Sequence, residues 1–194
     1  LYPLFIISES LKSGYNANLD ENGIKVLILD SIKKANDAVY EKSRSDPALF
    51  GMGTTIVTVI AANDKAYIAH AGDSRAYLID DDIKKLTRDH SIVQEMVENG
   101  KITQEEALVH PQKNIITRAL GVEESLEIDY SVHEFKKGST ILICTDGLTN
   151  LVSDEDIKET VKREEPEDCI DKLVNMANSN GGSDNITVVV IRNV

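Results

Sequence analysis

The segment Thr54 to Ala62, Thr-Thr-Ile-Val-Thr-Val-Ile-Ala-Ala, constrains this chain more than any other. It is β-branched and apolar almost without interruption, so it has no wholly polar face to leave in water. It is far shorter than the roughly 20 apolar residues that a membrane-spanning helix needs. A run of this length and kind is read as a strand buried on both faces. Two more strand-like segments follow closely, Lys65 to Ala71 and Arg75 to Ile79. Asn63-Asp64, Gly72-Asp73-Ser74 and Asp80 to Asp82 punctuate them as turns. Connections this short predict an antiparallel meander.

Ahead of the strands lies a polar loop, Asn16 to Gly23. Ile28, Ile32, Ala35 and Val39 then recur at helical spacing, which predicts a helix from about Ile24 to Ser43. Pro47 and Gly51 to Gly53 end it. After the strands, residues His90 to Ile116 change to helical spacing. Thr103, with Glu106 three residues on, is a capping-box pattern. This region reads as a small helical flap, about 90–116, inserted between strands. Strand signals return at Leu126 to His133 and Ser139 to Thr145, joined by Lys136-Lys137-Gly138. Helices are expected over Asp154 to Lys162, capped by Ser153, and over Pro166 to Ser179, where proline suits the first turn. Ile186 to Arg192 is a last β-branched strand. Strands and helices in separate blocks give an α+β class, a layered sandwich, with residues 1–194 as one domain.

The net charge of −12 excludes partners that want a basic face, namely nucleic acid and anionic membranes, and is compatible with cation binding. With no tryptophan and 5% aromatic residues, the core must be aliphatic. Cys144 and Cys169 sit in a predicted strand and a predicted helix. They read as buried free thiols in a reducing, cytoplasmic setting and not as a disulfide framework. The opening Leu1 to Ile7 has no basic flank and no small-residue cleavage site, so it does not read as a signal peptide. The chain lacks an initiator methionine, which suggests a fragment or a processed product.

Three aspartates stand where strands meet glycine-bearing turns. They are Asp73 in Ala-Gly-Asp-Ser-Arg, Asp146 in Cys-Thr-Asp-Gly-Leu and Asp184 in Gly-Gly-Ser-Asp-Asn. A carboxylate at the mouth of a buried sheet is costly unless it is paired or bound to a cation. Hard cations such as magnesium and manganese take oxygen ligands of this kind. Aspartate beside glycine is also ordinary turn chemistry, and spacing alone does not bring the three together in space. His70, His90, His110 and His133 have no metal-ligand spacing. Ser74 and Ser183 have no nearby histidine for an acyl-transfer triad. Gly51-Met-Gly-Thr-Thr lacks the lysine of a phosphate-binding loop and precedes a strand, not a helix.

Several segments in order resemble a known family. They are Gly51-Met-Gly-Thr-Thr, Ile68-Ala-His-Ala-Gly-Asp-Ser-Arg-Ala-Tyr-Leu, Leu86-Thr-Arg-Asp-His-Ser, His110-Pro-Gln, Ile116-Thr-Arg-Ala-Leu-Gly, Cys144-Thr-Asp-Gly-Leu-Thr and Gly181-Gly-Ser-Asp-Asn-Ile-Thr-Val-Val. The ordered set, from Ala35 to the C-terminus, is similar to bacterial metal-dependent protein phosphatases of the PPM, or type 2C, family. The resemblance implies two packed antiparallel sheets flanked by helices, a four-layer α-β-β-α sandwich. It implies hydrolysis of phosphoserine and phosphothreonine by metal-activated water, with Mn2+ or Mg2+ in a two-metal centre. Asp146 and Asp184 match ligands of that centre, and Asp73 matches a ligand of a third, weaker metal. Gly147 and Asn185 would support the ligands, Asn185 by fixing its turn through side-chain hydrogen bonds. The flap would neighbour the active site and influence substrate choice. Partners by resemblance are phosphorylated proteins, the substrates of a serine/threonine kinase.

The family's opening strand pair, its phosphate-binding arginine and its Asp-Gly-Met-Gly-Gly-His turn have no counterpart among these 194 residues. The resemblance therefore implies an N-terminally incomplete domain, with some edge strands missing and at most trace activity from the chain alone. The alternative reading is a catalytically weak or inactive homologue that serves as a binding module.

Overall fold

The computed structural model describes residues 2–194. Helix α1 (Tyr2–Gly14) and helix α2 (Glu21–Ser45) pack side by side. The α2 N-terminus is capped by Asp20, whose carboxylate accepts the Gly23 N–H at 2.7 Å. Its inward stripe of Ile24, Ile28, Ile32, Ala35 and Val39 is buried against Tyr67, Ala69 and Leu120. Each large aliphatic side chain so buried contributes about 1.5–3 kcal/mol.

The stripe lies on a three-stranded antiparallel sheet in the order β1 (Ile56–Ala62), β2 (Lys65–Ala71) and β5 (Asp129–Glu134). A second antiparallel sheet has the order β4 (Ile83–Lys85), β3 (Arg75–Ile79), β6 (Thr140–Cys144) and β7 (Val188–Arg192). Alternate side chains point to opposite faces, and both faces of the central strands are covered. Ala66 and Ile68 of β2 meet Ala76 of β3 and Ile141 of β6 between the sheets. Tyr77, Leu142 and Cys144 point outward, under α6 (Asp154–Arg163) and α7 (Pro166–Ser179). The result is the expected four layers: helices, sheet, sheet, helices. Burial on both faces explains why these strands read as continuous apolar runs. Both cysteines are free and buried.

The predicted meander is corrected in one respect. β1 and β2 pair as expected, but β3 pairs with β4 and β6, in the other sheet. Gly72-Asp73-Ser74 is a corner between sheets and not a hairpin turn. Gly72 makes that corner possible. Its φ is +115°, and a Cβ there would lie 2.4 Å from the Thr55 methyl. Thr55 and Ser74 hydroxyls then bond across the corner at 2.8 Å.

Two short helices, α3 (Ile92–Glu98) and α4 (Gln104–Val109), lie between β4 and β5. Thr103 and Glu106 form the reciprocal capping box at the start of α4. The two ends of this excursion meet in a bridge between Ser91 and Ile116. One more helical turn, α5 (Asp146–Thr149), was not anticipated from the sequence.

Candidate active site

The β2–β3 corner and the end of β6 open at the same edge of the sandwich. Asp73 leaves the corner, and Asp146 begins α5 directly after β6. Both line one cleft, together with Arg75, Asp89, Asn150 and, from the flap, Gln104, Leu108 and Lys113. Burial, and then the charge of Asp146, push the Asp73 carboxyl from 3.8 up to about 6. Asn150 Nδ2 donates to Asp146 Oδ2 at 3.2 Å and orients that carboxylate.

Asp184 reaches this edge from the loop before β7. It is exposed and is not among the cleft-lining residues. Its neighbour Asn185 nevertheless abuts α5. A Cβ on Gly147 would lie 2.4 Å from the Asn185 carbonyl oxygen and 3.5 Å from Asp184 Cβ. Only glycine lets the two loops approach so closely. The turn is closed through the backbone. The Thr145 hydroxyl donates to the Asn185 carbonyl at 3.1 Å, and the Asn185 N–H donates to Asp184 Oδ1 at 2.7 Å. The side-chain hydrogen bonds expected of Asn185 have no counterpart among the described residues.

Arg75, Lys85, Asp89 and His90 carry no role that the sequence alone assigns. Arg75 makes a bidentate pair with Asp89, with Nη2 to Oδ2 at 2.7 Å and Nε to Oδ1 at 3.2 Å. Lys85 adds a contact to Asp89 at 3.3 Å. Arg75 is thus bound to Asp89 and offsets the Asp73 charge only in part, less than burial and Asp146 raise it. Asp89 and His90 fall within Leu86-Thr-Arg-Asp-His-Ser, and that resemblance is their one signal in the sequence.

His90 belongs to a second cluster. The ligand atoms of His70, His90 and Asp129 lie within 4.8 Å of one another. The chemistry argues against a metal there. His90 Nδ1 accepts the Gly72 N–H at 3.1 Å, so the proton of the neutral ring sits on Nε2, which faces Asp129 Oδ2 at 3.2 Å. Arg118 Nη1, also 3.2 Å from Nε2, donates to Asp129 Oδ1 at 2.8 Å and not to the ring. Burial holds the ring's pKa below its ordinary value, which favours that neutral form. On His90 the Nδ1 lone pair is engaged by Gly72 and Nε2 carries the proton, and the Arg118 guanidinium, 2.8 Å from Asp129, repels a cation. His70 bonds the Arg88 carbonyl at 2.8 Å and stacks on His90 with ring centres 4.9 Å apart.

The geometry agrees with what comparison finds. Residues 6–186 match the protein family described as Protein phosphatase 2C. The chain is 41% identical over 177 residues to the serine/threonine phosphatase stp of Listeria innocua, covering 90% of this chain and 70% of that protein. The crystal structure of the serine/threonine phosphatase Stp1 from Staphylococcus aureus superposes with a TM-score of 0.88 at 33% identity, over 98% of this chain and 76% of that one. The catalytic domain of the serine/threonine protein phosphatase PstP, solved in complex with 2 manganese ions, superposes with a TM-score of 0.82 at 31% identity, over 97% of this chain and 79% of that one. With its sequence matched over nearly its whole length and its four-layer sandwich shared with these enzymes, the chain belongs to the protein phosphatase 2C family of metal-dependent serine/threonine phosphatases.

Proposed function

We propose that this domain hydrolyses phosphoserine and phosphothreonine in proteins at the cleft that Asp73 and Asp146 share. The observation that carries the reading is the pairing of two carboxylates whose charges disfavour each other, with the nearest arginine already bound to Asp89. Such a site fits a hard divalent cation, Mn2+ or Mg2+, with oxygen ligands. Asp146 and Asp184 would hold the two-metal centre, and Asp73 would hold a third ion. When bound, the cations supply the charge that activates water toward phosphorus and offsets the negative phosphoryl oxygens.

The chain's own residues do the rest. Asn150 orients Asp146, and Gly147 admits the Asp184 loop. Lys113 is a cation at the wall of the cleft, placed to meet an incoming phosphate. Leu108, more than half exposed, offers an apolar contact beside it. The flap that carries both would help to choose substrates. No protein nucleophile is called for, in keeping with the absence of a triad in the sequence.

The partners on this reading are phosphoproteins made by a serine/threonine kinase, in the cytoplasm. Among the described residues no helix is long and apolar enough to cross a membrane. The test is phosphate release from a phosphothreonine peptide, with and without Mn2+, by the protein that bears this domain. Turnover that requires Mn2+ and falls about a hundredfold or more in Asp146→Asn supports the reading. Equal rates in the two proteins would overturn it.

A further inference from the structure

His90 holds the residue before Asp73 from two sides. Its ring Nδ1 accepts the Gly72 N–H at 3.1 Å, and its own backbone N–H donates to the Gly72 carbonyl at 2.9 Å. The same residue anchors both ends of the flap. Its carbonyl accepts the Thr117 N–H at 2.8 Å, and the next residues bridge Ser91 to Ile116 and bond Ile92 N–H to the Ile115 carbonyl at 3.0 Å. On its far side the ring Nε2–H meets Asp129, which Arg118 also holds, just beyond the flap's return. The ring is enclosed completely, so these contacts are not shared with water. Flap residues and Asp73 face each other across one cleft.

We propose that His90 is a positioning residue that couples the flap to the Asp73 corner, so that cation binding in the cleft and closure of the flap favour each other. The coupling is reciprocal by linkage: an ion that prefers one placement of Asp73 prefers the flap arrangement that goes with it. The inference rests on the proposed binding of a cation in this cleft. His90 itself touches neither ion nor substrate and acts through Gly72.

Limited trypsin digestion tests it, read by mass spectrometry as cleavage after Lys101 and Lys113 in the flap, with and without Mn2+. Cleavage at such sites tracks the open population. In the natural chain Mn2+ should slow both cuts by about fivefold or more, the lower range of typical allosteric coupling. His90→Asn keeps an acceptor near the Nδ1 position and should retain much of the protection. His90→Gln places its amide toward Asp129 instead, leaves the Gly72 N–H without an acceptor, and should lose it. Asp129→Asn, at a partly exposed position, should weaken protection even if a His90 variant fails to fold. Mn2+ binding is measured on the same samples by electron paramagnetic resonance. Absence of Mn2+ binding in the natural chain would defeat the cation reading. Binding without flap protection, or protection equal in all the variants, would defeat the coupling alone.

Discussion

Arg75 and Asp89 form a bidentate ion pair at the wall of the cleft, with Nη2 2.7 Å from Oδ2 and the Asp89 side chain only 9% exposed. The pair joins β3 to the segment that leads into the flap. Removing one member of an enclosed pair strands the other, which typically costs about 3–5 kcal/mol. Asp89→Ala should therefore lower stability by about 3 kcal/mol in urea denaturation, and Arg75→Lys should restore little of a bidentate contact. A change of a few tenths of a kcal/mol would mean that Lys85 or water replaces the pair.

Asp73 carries a sign that can be checked. Its folded pKa of about 6 lies above the ordinary 3.8, so the folded state binds this proton more tightly than the unfolded state does. The contribution favours folding below about pH 4 and is lost as pH rises through about 6. In metal-free buffer, Asp73→Asn should be more stable than the natural chain at pH 7.5, and the two should converge below pH 4. Added Mn2+ should stabilise the natural chain and do less for the variant. Identical melting curves across this range would refute the raised Asp73 pKa.

Gly147→Ala should disturb the site with little change in the core. The new Cβ meets the Asn185 carbonyl, a backbone atom that can move only by shifting the Asp184 loop. Mn2+ affinity should fall about tenfold or more, while the far-ultraviolet circular dichroism spectrum stays that of the natural chain. Unaltered affinity would show that Asp184 is not held by this contact.

Asn36 offers a stability control away from the cleft. It is 1% exposed on α2. Its Oδ1 accepts the Gly121 N–H at 2.8 Å, and its Nδ2 donates to the Glu123 and Glu124 carbonyls at 3.0 and 3.1 Å. Asn36→Ala strands the buried Gly121 N–H at about 1–3 kcal/mol, while the carbonyls of exposed Glu123 and Glu124 can turn to water. The expected outcome is a clear fall in melting temperature with Mn2+ affinity unchanged.

Much of this architecture was legible because burial leaves a periodic trace. The three- and four-residue spacing from Ile28 to Val39 marked α2, and continuous apolar runs marked strands covered on both faces. The corner at Gly72 was misread because a short Gly-Asp-Ser link looks the same whether its strands pair or part into two sheets. What decides is the positive φ of Gly72 and its contact with Thr55, neither of which leaves a local signal. β4 and α5 span only three and four residues, too short for a period to register. Asp73, Asp146 and Asp184 were visible one by one from their glycine turns, but their approach to one edge is a property of sheet order. His90 gave no spacing signal, because Gly72 and Asp129 come from distant parts of the chain.

The most direct measurement is a titration with Mn2+, read by electron paramagnetic resonance, on the natural chain, Asp146→Asn and His70→Gln. The account predicts binding by the natural chain, weakened about tenfold or more in Asp146→Asn and unchanged in His70→Gln. Binding that survives Asp146→Asn but is lost in His70→Gln would place the cation at the histidine cluster and contradict the account.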